Sequence, residues 1–332
     1  MTTSPSDAPR ACVLVVGGRG FVGSHIVRAL LAAGHRPHVL GPAMDCDLLA
    51  DLAGRIDETI GSLEDQALVR TVLARVRPAS VVCCAAFGAG REGLMRSGER
   101  DADRAFAVNV DGFRHLLDAA AAAEVERVVW TSSTVVYGPA GDYGAARVDE
   151  DAAKRPRTVY GLTKHLAEEA AAFAARRHGM PVAGLRLPLV LGPGLWYDGA
   201  AAGLMGLLRA APAGGTYRIA FHDQPIDLMH VRDAAAACLV ALACTPPLSG
   251  AYNINGFTAS VGDIIAQLAR RRPDLQVTHE IAAPGALFPL VDDARFRRDT
   301  GFTPAIDLAG LIDDMASASA AGIDRGRTRD EG

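Results

Sequence analysis

The chain has 332 residues, 49% of them hydrophobic, with a formal net charge of -4, enough for one large domain or two modest ones around a sizeable core. That charge gives no global pull toward nucleic acid or an anionic membrane surface. No apolar run reaches the ~18 residues of a membrane span, and Met1 to Pro9 is small and polar, without the apolar centre of a secretory signal. The cysteines, Cys12, Cys46, Cys83, Cys84, Cys238 and Cys244, lie mostly in apolar runs and form no Cys-x-x-Cys pair. Reduced thiols in a cytoplasmic protein are therefore expected, with no metal site.

Ala11 to Val16 is a short apolar run ending at glycines, as a buried parallel strand does. Phe21 to Ala33 then predicts a helix closed by Gly34. Arg36 to Leu40 predicts a second strand, Arg55 to Ile60 a weaker third, Glu64 to Val76 a helix and Ser80 to Cys84 a fourth strand. Asp101 to Ala123 is alanine-rich and predicts one long helix. Arg127 to Ser132 is a fifth strand, Thr158 to Arg177 a helix stopped by Gly179 and Pro181, and Val182 to Leu187 a sixth strand. The alternation predicts an α/β fold, a Rossmann-type doubly wound parallel sheet binding its ligand at the carboxyl ends of the strands.

Beyond Gly192 the pattern is irregular and rich in Gly and Pro, with helices expected near Gly199 to Ala211, His230 to Ala243 and Val261 to Arg271. The expected organisation is a dinucleotide-binding domain over 10–190 and a smaller C-terminal substrate lobe over 191–316, with some segments returning to the first domain. Flexible tails are expected at 1–9 and 317–332.

Gly17-Gly18-Arg19-Gly20-Phe21-Val22-Gly23 follows a predicted strand and opens a predicted helix, the context a dinucleotide turn requires. Gly17 suits the tight turn, Gly20 close approach to a pyrophosphate, and Gly23 close packing of helix on strand. The helix N-terminus, at Phe21 and Val22, offers free N–H groups to phosphates. An NAD site usually carries an acid at the end of the second strand; here the run is Val39-Leu40-Gly41-Pro42. The missing acid, with Arg19 in the turn, leans toward NADP over NAD. Ser62 and Leu63 follow the third strand, where the adenine is bordered, and Ala85 and Ala86 follow the fourth. Asn109 either holds backbone near the site or faces a neighbouring strand.

Tyr160-Gly-Leu-Thr-Lys164 puts a phenol and an ammonium on one helix face. A free tyrosine, pKa near 10, is a poor base at neutral pH, and lowering it by about three units takes roughly 4 kcal/mol. Lys164 and an oxidised nicotinamide, both positive, are the expected source. Ser133, at the end of the fifth strand, would steer a substrate oxygen toward Tyr160.

With these pieces the chain resembles the extended short-chain dehydrogenase/reductase family, also called the NAD-dependent epimerase/dehydratase family, from about Cys12 to Ile312. The matching motifs are Gly17-x-x-Gly20-x-x-Gly23, Ala85-Ala86, Asn109-Val-x-Gly112, Thr131-Ser-Ser133-x-x-x-Tyr137-Gly138, Tyr160-x-x-x-Lys164, Leu191-Gly-Pro-Gly194 and His230-Val-Arg-Asp233. The resemblance implies Ser133, Tyr160 and Lys164 as the catalytic set, a nicotinamide bordered by backbone near Leu187 to Val190, and a homodimer built on the helices near Asp101 to Ala123 and Thr158 to Arg177. Departures narrow the activity. Thr134 and Val135 stand where the family's dehydratases carry an Asp-Glu pair, and Leu189 stands near the asparagine of its nucleotide-sugar epimerases. Pro225-Ile-Asp227 replaces their usual arginine. The expectation is an NAD(P)-dependent oxidoreductase acting on a small alcohol, carbonyl or sugar-like substrate. Its alternatives are a sugar or nucleotide-sugar epimerase with tightly bound cofactor and a non-catalytic NAD(P) sensor. Among Arg91, Arg96, Arg100 and Arg104, one could meet an anionic substrate group, and Trp196-Tyr197 either lines the pocket or packs the small lobe.

Overall fold

The computed structural model describes residues 11–144, 146–199, 202–285, 287–320 and 327–328. The apolar run near the start forms β1 (Cys12–Val16), and the glycine turn leads into α1 (Phe21–Ala32). There follow β2 (Arg36–Gly41), a two-residue strand β3 (Cys46–Asp47), β4 (Asp57–Ile60), α2 (Gln66–Val76) and β5 (Ser80–Cys83). Next come α3 (Leu94–Arg100), α4 (Ala102–Phe106), α5 (Phe113–Ala122), β6 (Arg127–Ser133), α6 (Val159–His178) and β7 (Val182–Leu187).

With β11 (Gly250–Asn253) these strands build a seven-stranded sheet in the order β11-β7-β6-β5-β1-β2-β4, parallel throughout. The chain starts in the middle and winds both ways, so a crevice opens between the carboxyl ends of β1 and β5. Alternation along β1 sends Val13 and Val15 into one buried cluster and Leu14 and Val16 into the other. The first cluster holds Ile26, Val27 and Leu30 of α1; the second holds Val69 and Leu73 of α2, Leu116 of α5 and Ala171 of α6.

The second lobe is made of β8 (Leu189–Leu191), α7 (Ala202–Ala210), β9 (Gly215–Phe221), β10 (Ile226–His230), β12 (Phe257–Ala259), α9 (Val261–Arg271), β13 (Leu275–Ile281) and α11 (Leu308–Ala320). Strands β12, β10 and β8 form one small sheet and β13 and β9 another. Leu204, Leu208, Ile264, Leu268, Leu311 and Met315 fill its core, joined by Phe21 of α1.

Among the segments expected to return to the first domain are α8 (Val231–Ala243) and the short helix α10 (Ala294–Thr300): Ala234, Ala237, Cys238 and Ala241 of α8 and Phe296 of α10 pack in the first core cluster with α1. Two expectations change. The long helix is broken by a π-helical turn over Ala107–Gly112, where Gly112 presses so close that a Cβ would lie 2.9 Å from Leu63 Cβ. Residues 317–320 of the expected C-terminal tail are helical, within α11. The expected tail over 1–9 lies outside the described residues, as does most of 321–332.

Candidate active site

A cavity of about 990 Å³ runs along the carboxyl edge of the large sheet and under the small lobe, a size that accommodates a dinucleotide fragment with a small substrate. Its floor is the glycine turn. Gly17 has φ 81°, and a Cβ there would lie 2.6 Å from the Ala85 backbone nitrogen. At Gly23 a Cβ would lie 2.2 Å from the Gly17 carbonyl oxygen and 2.7 Å from Gly18 Cα. These two positions bring β1, β5 and α1 closer together than any side chain permits. Gly20 is the N-cap of α1 and makes no side-chain cap, so no side chain satisfies the first N–H groups of a twelve-residue helix whose opening residues line the cavity. An uncapped helix start of this kind suits a pyrophosphate, and Gly17, Gly20, Phe21, Val22 and Gly23 are the residues that would hold it.

Of the remaining residues expected at the cofactor, Arg19, Ser62, Leu63, Ala85, Ala86, Leu187 and Val190 all line the cavity. Asn109 stands behind its wall: Oδ1 accepts from the Phe87 N–H at 2.7 Å and Nδ2 donates to Thr163 Oγ1 at 3.0 Å. Its role is to fix the loop after β5 against α6, the first of its two sequence readings. Arg19 is not free to meet a 2′-phosphate. Its side chain is 7% exposed, donates to Glu58 at 2.7 Å and lies 3.4 Å from Asp47. The lean toward NADP therefore loses the base that supported it. Those acids are far from Arg19 in sequence, so only the folded chain reveals the pairing.

Ser133, Tyr160 and Lys164 meet at the other end of the cavity. β6 delivers Ser133, and α6 delivers the other two from its first turns. Thr158 caps that helix by accepting from the Gly161 N–H at 3.0 Å. Burial pushes the Tyr160 phenol above the usual tyrosine range, Tyr197 adds to the rise, and a hydrogen bond with Ser133 opposes it. Burial pushes Lys164 down to about 8, against the pull of Cys83, Cys84 and Glu168. Lys164 Nζ donates to the Thr131 carbonyl at 2.7 Å and sits 5.8 Å from the Tyr160 ring. In the free protein the phenol is thus held neutral, and Lys164 alone does not produce a phenolate. The positive charge needed for that step has to come from what fills the cavity.

Beside Ser133 and Lys164 lies a buried polar network whose pairing the sequence patterns did not reveal. Glu168 accepts from Arg186 Nε and Nη2, both at 2.8 Å, and from Ser132 Oγ at 2.6 Å. Arg186 Nη1 donates to Tyr137 Oη at 2.6 Å, and that oxygen lies 2.7 Å from Asn253 Oδ1. The network ties β6, α6, β7 and β11 together next to Ser133. Its traces in the sequence are Tyr137, part of the fifth-strand motif, and an acid one helical turn after Lys164.

The substrate end is closed by the small lobe, with Leu189, Trp196, Tyr197, Phe221, Ile226 and Phe288 on its wall. Of the two readings of Trp196-Tyr197, lining holds for both residues. Phe221 and Phe288 carry no motif and were not anticipated.

Among the described residues no group of His, Cys, Asp or Glu is arranged to hold a metal, all six cysteines are free thiols, and no helix is long and apolar enough to cross a membrane. Known proteins with this arrangement are numerous. The chain is 33% identical to a UDP-glucose 4-epimerase of Rhizobium leguminosarum bv. trifolii over 48% of this chain and 46% of that one. It is 27% identical to D-erythronate dehydrogenase of Cupriavidus necator over 78% of this chain and 81% of that one. The chain spans about half the length of the first of these relatives. The crystal structure of UDP-glucose 4-epimerase from Brucella ovis in complex with NAD superposes with a TM-score of 0.77 at 25% identity, covering 93% of this chain and 98% of that one. Residues 13–254 match the NAD dependent epimerase/dehydratase family, and with the glycine turn, the parallel sheet and the Ser133, Tyr160 and Lys164 cluster in place the chain belongs to that family.

Proposed function

We propose that the protein is an NAD(P)-dependent oxidoreductase that interconverts a small alcohol and its carbonyl, with Ser133, Tyr160 and Lys164 as catalytic residues. The observation that carries this reading is the placement of Ser133, Tyr160 and Lys164 on the same cavity as the uncapped start of α1, with Lys164 fixed by the Thr131 carbonyl. Oxidation of a carbinol gives up one proton and one hydride: a nicotinamide, held by the glycine turn, would supply the hydride acceptor, and Tyr160 Oη, as the phenolate, takes the hydroxyl proton. Ser133 holds the substrate oxygen by a hydrogen bond. Lys164, fixed by the Thr131 carbonyl, keeps a positive charge beside the phenol and favours its ionised form when oxidation needs a base. In the reverse direction the neutral phenol of the free protein is already a competent acid. The small-lobe wall excludes water, which strengthens each of these interactions.

Several features support the finer parts of this reading. The pairing of Arg19 with Glu58 and Asp47 favours NAD, since a 2′-phosphate would meet two carboxylates there. Free thiols fit a reducing, cytoplasmic setting. Leu162 and Phe173 are 39% and 55% exposed and share one face of α6, an apolar stripe suited to a homodimer across α5 and α6.

Replacing Tyr160 with Phe tests the proposal. Turnover of any alcohol oxidised by the wild type should fall by at least ~10²-fold, while the thermal shift on adding NAD stays. Near-wild-type turnover in Tyr160→Phe would sink it. An epimerase reading draws on the Rhizobium relative. It predicts UDP-glucose conversion without net change in reduced-nicotinamide absorbance, and Leu189 and Ile226 on the cavity wall give a diphosphate no charge to meet.

A further inference from the structure

Four arginines crowd the segment between β5 and α5, and the fold sorts them. Arg91 pairs with Asp198 at 3.3 Å, Arg100 with Glu92, and Arg104 with Glu64 at 3.6 Å while lying over the Phe87 ring. Arg96 lines the cavity and has no ion pair or hydrogen bond among the described residues. Two other polar groups on this wall lack a hydrogen-bond partner among the described residues: the buried Trp196 Nε1–H and the Tyr197 hydroxyl, which lies close enough to Tyr160 to raise that residue's pKa. Arg96 and Tyr197 are linked through one contact. Gly93, the N-cap of α3, packs on Gly199 and Tyr197, where a Cβ would lie 2.7 Å from Gly199 Cα and 3.6 Å from Tyr197 Cδ2. Arg96 follows three residues later, on the same side of the helix as Gly93.

Acceptors at this end are already spent. Asp227 accepts from Asn255 Nδ2 at 2.9 Å, Thr258 Oγ1 at 2.5 Å and the Val291 N–H at 2.7 Å, with Arg147 at 3.5 Å. Glu92 is held by Arg100. His222 also lines the end, and burial keeps it neutral by pushing its pKa down. The free polar groups of this wall are thus one cation, the exposed Arg96, and two neutral donors, the Tyr197 hydroxyl and the Trp196 Nε1–H. A single carboxylate matches that inventory; a diphosphate, with at least two charges to neutralise, does not.

Resting on the oxidoreductase reading above, we propose that Arg96 is the anion anchor of the substrate site, binding the carboxylate of a small hydroxy acid, with Tyr197 hydrogen-bonding the bound acid beside Tyr160. The acid's carbinol loses its proton to Tyr160 and its hydride to NAD(P)⁺, giving the corresponding keto acid and NAD(P)H. The carboxylate itself is unchanged and serves only to hold the carbinol in place.

The test compares wild type, Arg96→Gln and Arg96→Lys on D- and L-glycerate, 3-hydroxybutyrate, the uncharged 1,3-butanediol and UDP-glucose, with NAD present. Wild type should prefer at least one acid over the diol. Arg96→Gln should lower kcat/KM for that acid by ~10–100-fold, the usual worth of a hydrogen bond to a charged group, chiefly through KM, with partial recovery in Arg96→Lys. Titration with malonate, read by tryptophan fluorescence, should weaken in step without any turnover. The inference is overturned if wild type oxidises the diol as well as the acids, turns over only UDP-glucose, or turns over none of these compounds. It is also overturned if Arg96→Gln leaves the preference for acid intact. Loss of acid preference in Arg96→Gln together with full activity in Tyr160→Phe would refute the catalytic assignment alone.

Discussion

The bidentate pair between Glu168 and Arg186 is the interaction whose loss should cost the fold most. Their side chains are 7% and 3% exposed. Burial disfavours the guanidinium, and the Glu168 carboxylate together with Tyr137 more than offsets it, so Arg186 stays above its ordinary pKa. Glu168→Ala would leave that cation buried with only Tyr137 Oη at 2.6 Å and two weaker acceptors, Glu150 O and Asn253 Oδ1, both at 3.4 Å. It would also strip Ser132 Oγ of its acceptor. Breaking one side of a buried pair costs about 3–5 kcal/mol. The partners that Arg186 keeps argue for the lower half, about 3–4 kcal/mol, or roughly 4–6 °C in Tm for a chain of this size. Urea unfolding followed by circular dichroism gives the number, with Glu168→Gln as a shape-conserving control. The double variant Glu168→Leu with Arg186→Met should be less destabilised than Glu168→Ala, because it removes both charges. A loss under about 1 kcal/mol in Glu168→Ala would refute the argument, since it would mean that the buried guanidinium is satisfied without the carboxylate.

Two further outcomes follow from local geometry and titration. Gly23→Ala would drive a methyl into the Gly17 carbonyl and Gly18 Cα, at 2.2 and 2.7 Å. The turn would have to open, so NAD affinity by calorimetry should fall at least ~10-fold and stability by about 1–3 kcal/mol; unchanged affinity would show that the turn is not the phosphate cradle. His25 is pushed down to about 4, first by burial and then by the charges of His230, Arg28 and Arg232, against a hydrogen bond to the Pro193 carbonyl. Its unfolded value is near 6.5, so between pH 6.5 and 4 the unfolded chain binds more protons. Stability from this group is full above 6.5 and falls by up to roughly 3 kcal/mol as pH drops to 4. Urea midpoints from pH 8 to 5 should decline less steeply in His25→Gln than in wild type, and equal slopes would exclude this histidine as the cause.

Much of the site was readable because its parts are local. The strand, glycine turn and helix over 12–32 are one contiguous unit whose function depends on spacing, and the four-residue step from Tyr160 to Lys164 is fixed by helix geometry. The element pattern over 11–187 held for the same reason, apart from β3 and α3, which were not anticipated, and the π-helical turn, where Gly112 packs closely on Leu63, a residue 49 positions away. Where partners come from distant segments, the one-dimensional pattern was silent or misleading. Arg19 read as a free base and is an ion-paired one. Some segments beyond 191 were expected to return to the first domain, but not which; residues 231–243 are one of them, and an alanine-rich helix shows no preference for one core over another until its neighbours are present.

The sequence by itself determined the parallel sheet, the dinucleotide turn and the order of Ser133, Tyr160 and Lys164, because each rests on periodicity or spacing within a few turns of chain. Only the tertiary structure decided the electrical state of the site: which arginine is left unpaired, that Tyr160 is buried and neutral beside Tyr197, and that Glu168 and Arg186 hold the floor. Charge and desolvation depend on what surrounds a group in space. For these residues the surroundings arrive from segments tens to more than a hundred positions apart.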